Sequence, residues 1–259
     1  MAAAAFQLPG TRDLGCLLIH GFTATADEVR PLGNALSAAG FPVVGVQLAG
    51  HGTSVADLGR QRWQDWATSV RTAAVTLETQ RVVIVGMSLG ALLGLRHAAT
   101  DGAATIAGLV CCGTPLKLRS RRLTALRRLY RVPGVRRLGL TIPKRGRDIS
   151  DPVLRAQSRS YASIPLTGVI ELLALQDAVG ALLPQIAVPT LIMHARHDHT
   201  APVDNAHRLA SALTAAPVTT EILERSWHVI TEDVERAQVE ASVVAFCRGI
   251  AARLEGGSS

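Results

Sequence analysis

The residue that first invites chemistry is Ser88, in the run Val82-Val83-Ile84-Val85-Gly86-Met87-Ser88-Leu89-Gly90-Ala91-Leu92-Leu93. The β-branched residues before it predict a strand, and the Ala/Leu stretch after it predicts a helix. A serine in the tight turn between them holds its hydroxyl clear of the backbone, and small residues two before and two after relieve the crowding. In a chain with 23 glycines, Gly-x-Ser-x-Gly alone is weak; its place between strand and helix makes it specific. The chemistry it suits is nucleophilic attack on a carbonyl carbon. The bland alternative is an ordinary glycine-rich turn, and the choice rests on whether partners are present.

A serine nucleophile needs a base, a group that orients the base, and two N–H donors for the developing oxyanion. In this arrangement the base and its orienter follow the serine in the chain. Of the eight histidines, His228 lies in Ser226-Trp227-His228, a polar loop between the last strand and the last helix, and is the expected base. Asp198, after the strand ending near His194, is the expected orienter; Asp204 falls in the first turn of a helix, where it complements the dipole. His97 is read as facing out of the helix that follows Ser88. His194, His197 and His199 surround Asp198 and could suggest a metal site, but such alternation is also that of a solvated loop, so no metal and no cofactor is expected. One oxyanion donor is expected from Leu89, at a helix start. The other is expected from Phe22 in Leu18-Ile19-His20-Gly21-Phe22-Thr23, with His20 read as a brace.

These residues need elements to hold them. Short apolar runs at 14–20, 42–48, 81–86, 106–112, 188–194 and 217–223 alternate with helical stretches at 28–39, 62–79, 89–100, 203–214 and 234–250. That is the pattern of a mostly parallel, doubly wound α/β sheet, which binds ligands beyond the carboxyl ends of its strands. The alternation breaks between about 114 and 185, where helical fragments punctuated by proline and glycine predict no strand. We read residues 1–114 and 186–259 as the core and 115–185 as an inserted, basic helical cap. Ile142, Ile149, Leu166, Val169, Ile170 and Leu173 could line a pocket beneath the cap or form its own core.

At 259 residues, one such domain buries about three quarters of its unfolded surface. The net charge of +7 is not evenly spread: fourteen of the 27 Lys and Arg fall between 117 and 160, against two acids. At helical periodicity, Leu123, Leu126, Leu129 and Tyr130 share one arc and Arg121, Arg127, Arg128 and Arg131 the other. Such a segment suits either a cap helix with solvated arginines or peripheral contact with an anionic lipid surface. With one aromatic available for stacking, it is a poor nucleic-acid surface, and no nucleic-acid partner is expected. No apolar run reaches the roughly 18 residues of a membrane span. Cys16, Cys111, Cys112 and Cys247 show no metal spacing and read as buried thiols. With no signal-like N-terminus, the expectation is a cytoplasmic protein.

Leu-Ile-His-Gly-Phe-Thr, Ala-Gly-His-Gly-Thr at 49–53, Gly-Met-Ser-Leu-Gly, Asp198 before Ala-Pro-Val, and Trp-His-Val-Ile-Thr together resemble the bacterial carboxylesterase and monoacylglycerol lipase family of α/β-hydrolases. The likeness runs from about residue 15 to 250. It implies the α/β-hydrolase fold, a triad of Ser88, Asp198 and His228, oxyanion donors at Phe22 and Leu89, and a small helical cap over an acyl pocket. It also implies hydrolysis of monoacylglycerols or similar simple acyl esters through an acyl-serine, as in lipid metabolism. The arginine-rich segment after Thr114 departs from the family's pattern and bears on substrate. A thioesterase, acyltransferase or carbon–carbon hydrolase would use the same residues. A ligand receptor would keep the fold without turnover.

Overall fold

Along the strand Arg81–Met87, successive side chains enter different cores: Val82 and Ile84 pack on one face of the sheet, Val83, Val85 and Met87 on the other. The same alternation divides Leu17 and Ile19 from Cys16 and Leu18, and Ile192 from Leu191 and Met193. Strands apolar on both sides require helices on both sides, and this dictates the layered architecture. The computed structural model describes residues 4–118, 121–130, 132, 134–144, 146–157 and 160–256.

The first half of the chain runs β1 (Phe6–Leu8), β2 (Leu14–Ile19), α1 (Arg30–Ala38), β3 (Val43–Val46), α2 (Val55–Arg60) and α3 (Trp63–Ala74). It continues through β4 (Arg81–Met87), α4 (Leu89–Ala99) and β5 (Ile106–Cys112). A long connection then carries α5 (Arg121–Leu129), β6 (Thr141–Pro143), α6 (Pro152–Gln157), β7 (Ser163–Pro165) and α7 (Leu166–Gly180). The sheet resumes with β8 (Thr190–Ala195), α8 (Asp204–Ala212), β9 (Val218–Leu223) and α9 (Arg236–Gly256). The seven-stranded order is β1-β3-β2-β4-β5-β8-β9. Every pairing in it is parallel except that of β1 with β3. α4 lies against the centre of the sheet and is buried almost all round, from Leu89 to Leu95.

Three features depart from the sequence expectation. The sheet has a seventh strand, β1, too short to show a period. Its Phe6 ring fills the space a side chain at Gly45 would take, where a Cβ would lie 2.1 Å from the ring. The short helix α2, capped by Ser54 accepting from the Asp57 N–H at 3.1 Å, was not expected. The stretch read as strand-free holds the antiparallel pair β6–β7, with Thr141 opposite Pro165 and Pro143 opposite Ser163. Prolines at both ends of so short a ladder disguise it, because they suit only edge positions. Among the described residues no helix is long and apolar enough to cross a membrane.

Candidate active site

Ser88 sits at the tight turn between β4 and α4, with φ 53° and ψ −111°; among the described residues only Thr23 (φ 65°) is another non-glycine at positive φ. The geometry explains both flanking glycines. A Cβ on Gly86 would lie 2.4 Å from backbone atoms of Gly90 and Ala91, and one on Gly90 would lie 2.1 Å from the Ile19 carbonyl oxygen. The Ser88 N–H donates to the Cys112 carbonyl at 2.8 Å, which ties the turn to the neighbouring strand.

The structure brings Ser88, His228 and Asp198 together from the ends of β4, β9 and β8. The Ser88 hydroxyl lies 2.9 Å from His228 Nε2, and His228 Nδ1 lies 2.6 Å from Asp198 Oδ2. All three residues are buried. With Asp198 accepting at Nδ1, that nitrogen carries the proton and Nε2 is left to accept from Ser88. Burial alone would raise the Asp198 carboxyl. The adjoining His228, hydrogen bonds from His194 and His228, and the Ala201 N–H together hold it well below the usual carboxylate range. Its second oxygen, Oδ1, accepts from the N–H groups of Thr200 at 2.8 Å and Ala201 at 2.6 Å.

The loop after β2 is braced from below. His20 donates from Nδ1 to the Gly21 carbonyl at 2.8 Å and accepts at Nε2 from the Leu48 N–H at 3.2 Å. Burial pushes the pKa of His20, and further that of His51, below the usual imidazole value, which keeps both neutral. The Phe22 ring packs on His51 and Trp66, with centroids 5.9 and 5.8 Å away. The Gly21 N–H donates to buried Glu28 at 2.6 Å. Neither the Phe22 N–H nor the Leu89 N–H finds an acceptor among the described residues.

Ser88, His228, Gly21 and Phe22 open on a cavity of about 260 Å³, whose apolar wall includes Leu118, Ile164 and Leu172. None of the six apolar residues expected as its possible lining takes part: Ile149 and Leu173 are buried elsewhere and Ile142 is exposed. A larger groove of about 900 Å³ between α5, α7 and α8 contains neither Ser88 nor His228.

Other histidines also fall in place. His97 is buried, against the outward orientation expected of it; it packs where a Cβ on Gly102 would meet its ring at 2.5 Å. His194 is wholly buried and lies 2.7 Å from the Ala201 carbonyl and 3.2 Å from Asp198. His197 is exposed, and His199 pairs with Asp148 at 2.9 Å. Among the described residues no group of three or more His, Cys, Asp or Glu is arranged to hold a metal.

Sequence reasoning missed the residues that fix the loop tips. Asp233 accepts from the N–H groups of Trp227 and Ser150 and from the Ser150 hydroxyl, at 2.6–2.8 Å. Glu235 accepts from the N–H groups of Arg225 and Ser226 and from the Ser226 hydroxyl. Arg147 pairs with Glu28 and, at 2.7 Å, with Glu232. Asp148 takes the His199 N–H at 3.0 Å and the Thr200 hydroxyl at 2.9 Å, while its own carbonyl accepts from Val229. The one signal available was the acidic run Thr231-Glu232-Asp233-Val234-Glu235 directly after the His228 loop.

A parallel sheet with this serine turn at its centre and an imidazole and carboxylate from later strand ends is the α/β-hydrolase fold. The chain belongs to the Hydrolase_4 family, serine aminopeptidase, S33, whose model matches residues 12–235. It is 28% identical over 238 residues, 91% of each chain, to the thermostable monoacylglycerol lipase of Bacillus sp. (strain H-257). It is 27% identical over 240 residues to the carboxylesterase of Bacillus subtilis (strain 168), covering 90% of this chain and 92% of that one. A solved structure reported under the metagenome-derived lipolytic enzymes LipS and LipT superposes with a TM-score of 0.86 at 27% identity, covering 96% of this chain and 98% of the other.

Proposed function

We propose that this chain hydrolyses carboxylic esters, monoacylglycerols or similar simple acyl esters among them, through an acyl-serine intermediate. The observation that carries the reading is the unbroken Ser88–His228–Asp198 line of hydrogen bonds, 2.9 and 2.6 Å, opening on a cavity. Ser88 attacks the ester carbonyl while His228 takes its proton. The oxyanion forms against the N–H groups of Phe22 and Leu89, the latter aided by the α4 dipole. His228 then protonates the departing alcohol and activates water against the acyl-serine, with Asp198 ionised throughout to steady the imidazolium. No step calls on a metal or cofactor.

The cavity is small beside the roughly 300–1,000 Å³ usual for ligand pockets, which favours short acyl chains. The names of the bacterial relatives support an ester. An aminopeptidase, as the family description reads, must hold a free α-ammonium. Here the carboxylates of the cavity wall, Glu28 and Asp148, are already engaged by Arg147, His199 and Thr200. The wall cation left without a paired carboxylate among the described residues is Lys144, which offers an α-ammonium no partner. We read stretch 115–185 as the cap of the site.

The test is a panel of p-nitrophenyl esters by chain length together with fluorophosphonate labelling. Label should map to Ser88. Ser88→Ala and His228→Ala should each lower kcat by about three orders of magnitude or more, with little further loss in the double variant. Near wild-type turnover in Ser88→Ala overturns the reading.

A further inference from the structure

Two cations face the Ser88 cavity from the stretch between β5 and β8, and they are held differently. Arg147 is buried and bridges Glu28 and Glu232. Lys144 is surrounded by hydroxyls instead. Its Nζ donates to Thr23 Oγ1 at 2.7 Å and to Ser160 Oγ at 2.6 Å, and among the described residues no carboxylate lies within ion-pair distance of it. An ammonium drawn from water without a counter-ion is unfavourable. Burial, and then the positive Arg147, push the Lys144 pKa down to about 8 against the pull of Glu28.

The carboxylates near it are already engaged. Glu28 takes the Gly21 N–H on one oxygen and Arg147 on the other. Asp148, also on the cavity wall, accepts from His199 and Thr200. The remaining titratable group facing the cavity, His228, is committed to Ser88 and Asp198. The formal charges of the wall balance, Glu28 and Asp148 against Lys144 and Arg147. But Arg147 takes Glu28 together with Glu232, so Lys144 is left as the cation of this wall with no carboxylate among the described residues paired to it. Thr23, which receives Lys144, directly follows Phe22, so the ammonium is fixed one residue from the proposed oxyanion donor.

We infer that Lys144 selects substrate by charge: the esters this site prefers are short ones that carry an ionised carboxylate, which supplies the missing counter-charge to the Lys144 ammonium. The inference rests on Ser88 as the nucleophile of an esterase and narrows the substrate class of that same site. A carboxylate in either the acyl or the alcohol portion meets the requirement.

The experiment compares kcat/KM for matched pairs from pH 6 to 10: monomethyl glutarate against its carboxamide isostere, and O-butyryl glycolate against O-butyryl glycolamide. Wild-type protein at pH 7 is expected to prefer the acid in at least one pair by about tenfold, an ion-pair contribution of ordinary size for a partly buried site. Because kcat/KM reports the free enzyme, the preference should decline as pH rises through about 8 and the ammonium loses its proton. Lys144→Met should bring the ratio to about one. Lys144→Arg should keep the preference and abolish its decline at high pH. The ratio within a pair cancels any general loss of folding or of oxyanion geometry in a variant. A ratio of one or below in both wild-type pairs, or a preference that survives in Lys144→Met, overturns the assignment while leaving the esterase reading intact. Protein that turns over neither member of either pair and takes no fluorophosphonate at Ser88 overturns both.

Discussion

Replacing Gly90 with alanine tests whether the serine turn and the loop after β2 form one rigid unit. A Cβ there would stand 2.1 Å from the Ile19 carbonyl oxygen, 2.7 Å from its carbon and 2.9 Å from the His20 oxygen. These are backbone atoms, and Ile19 is paired on both sides, with Val46 in β3 and Gly86 in β4. No flexible side chain can yield, so the end of β2 must retreat by about 1 Å at an overpacking cost of about 3 kcal/mol. For a domain of this size that lowers Tm by about 6–12 °C. The displaced residues lead straight into Gly21 and Phe22, and a 1 Å error in positioning costs about a hundredfold in rate. Gly249→Ala is the control: it is exposed on α9, nothing lies within 4 Å of its added methyl, and relief of the glycine penalty should stabilise by about 0.8–1 kcal/mol. The assays are urea titration of both variants and kcat on p-nitrophenyl butyrate. Gly90→Ala within about 0.5 kcal/mol of wild type, with full kcat, refutes the argument. A stability loss of the stated size with unchanged kcat refutes the coupling to Phe22.

Arg147→Met should cost about 3–5 kcal/mol, because it strands the buried Glu28 carboxylate without its cation. Adding Glu28→Gln should recover part of that loss, and strictly additive losses in urea titration would show that the two residues are not coupled. We also propose that the basic segment touches anionic lipid, since Leu129, Val132, Leu138, Leu140, Ile142 and Val153 are exposed there beside Arg122, Arg128 and Arg137. Co-sedimentation with anionic vesicles should weaken with salt and on changing those three arginines to Gln; protein that stays in the supernatant under all conditions dismisses the contact.

How much of this was legible in the sequence follows from where the physics is local. Val82 to Val85 declare a strand buried on both faces, and Gly86, Ser88 and Gly90 declare the turn, because neighbours in the chain set both constraints. The order of Ser88, Asp198 and His228 along the chain, each placed at a strand end, was likewise readable. What was not readable depends on contacts between distant segments. Periodicity put Arg127 on a solvated arc, yet its guanidinium reaches α7, where it pairs with Asp177 at 2.8 Å and donates to the Leu173 carbonyl at 2.8 Å. Tyr130 is buried and Leu129 exposed, although both were placed on one apolar arc. Arg131, on the opposite arc, lies outside the described residues. The sequence left open, for the same reason, whether the apolar residues of the connection line the cavity or pack among themselves: which face of α7 meets Ser88 depends on how the whole connection folds back. There Leu172 turns to the site and Leu173 away from it.

The fold fixes the roots of the three loops that carry the site but not their tips. The roots follow β2, β8 and β9, which span both halves of the sheet order. Three residues within one four-residue stretch of the connection, Arg147, Asp148 and Ser150, reach all three loops. Arg147 holds Glu28, and through it Gly21; Asp148 holds His199 and Thr200 beside Asp198; its carbonyl holds Val229 beside His228; Ser150 holds Asp233, which in turn holds Trp227. Each of these groups is charged or hydrogen-bonded on both sides, so releasing the segment would leave several buried polar groups unmatched at about 1–3 kcal/mol apiece. Residues 147–150 therefore clamp the site and are not a lid. Any opening of the proposed cap to admit substrate must bend on either side of them, and Gly146, at φ 89° on the cavity rim, marks one such place.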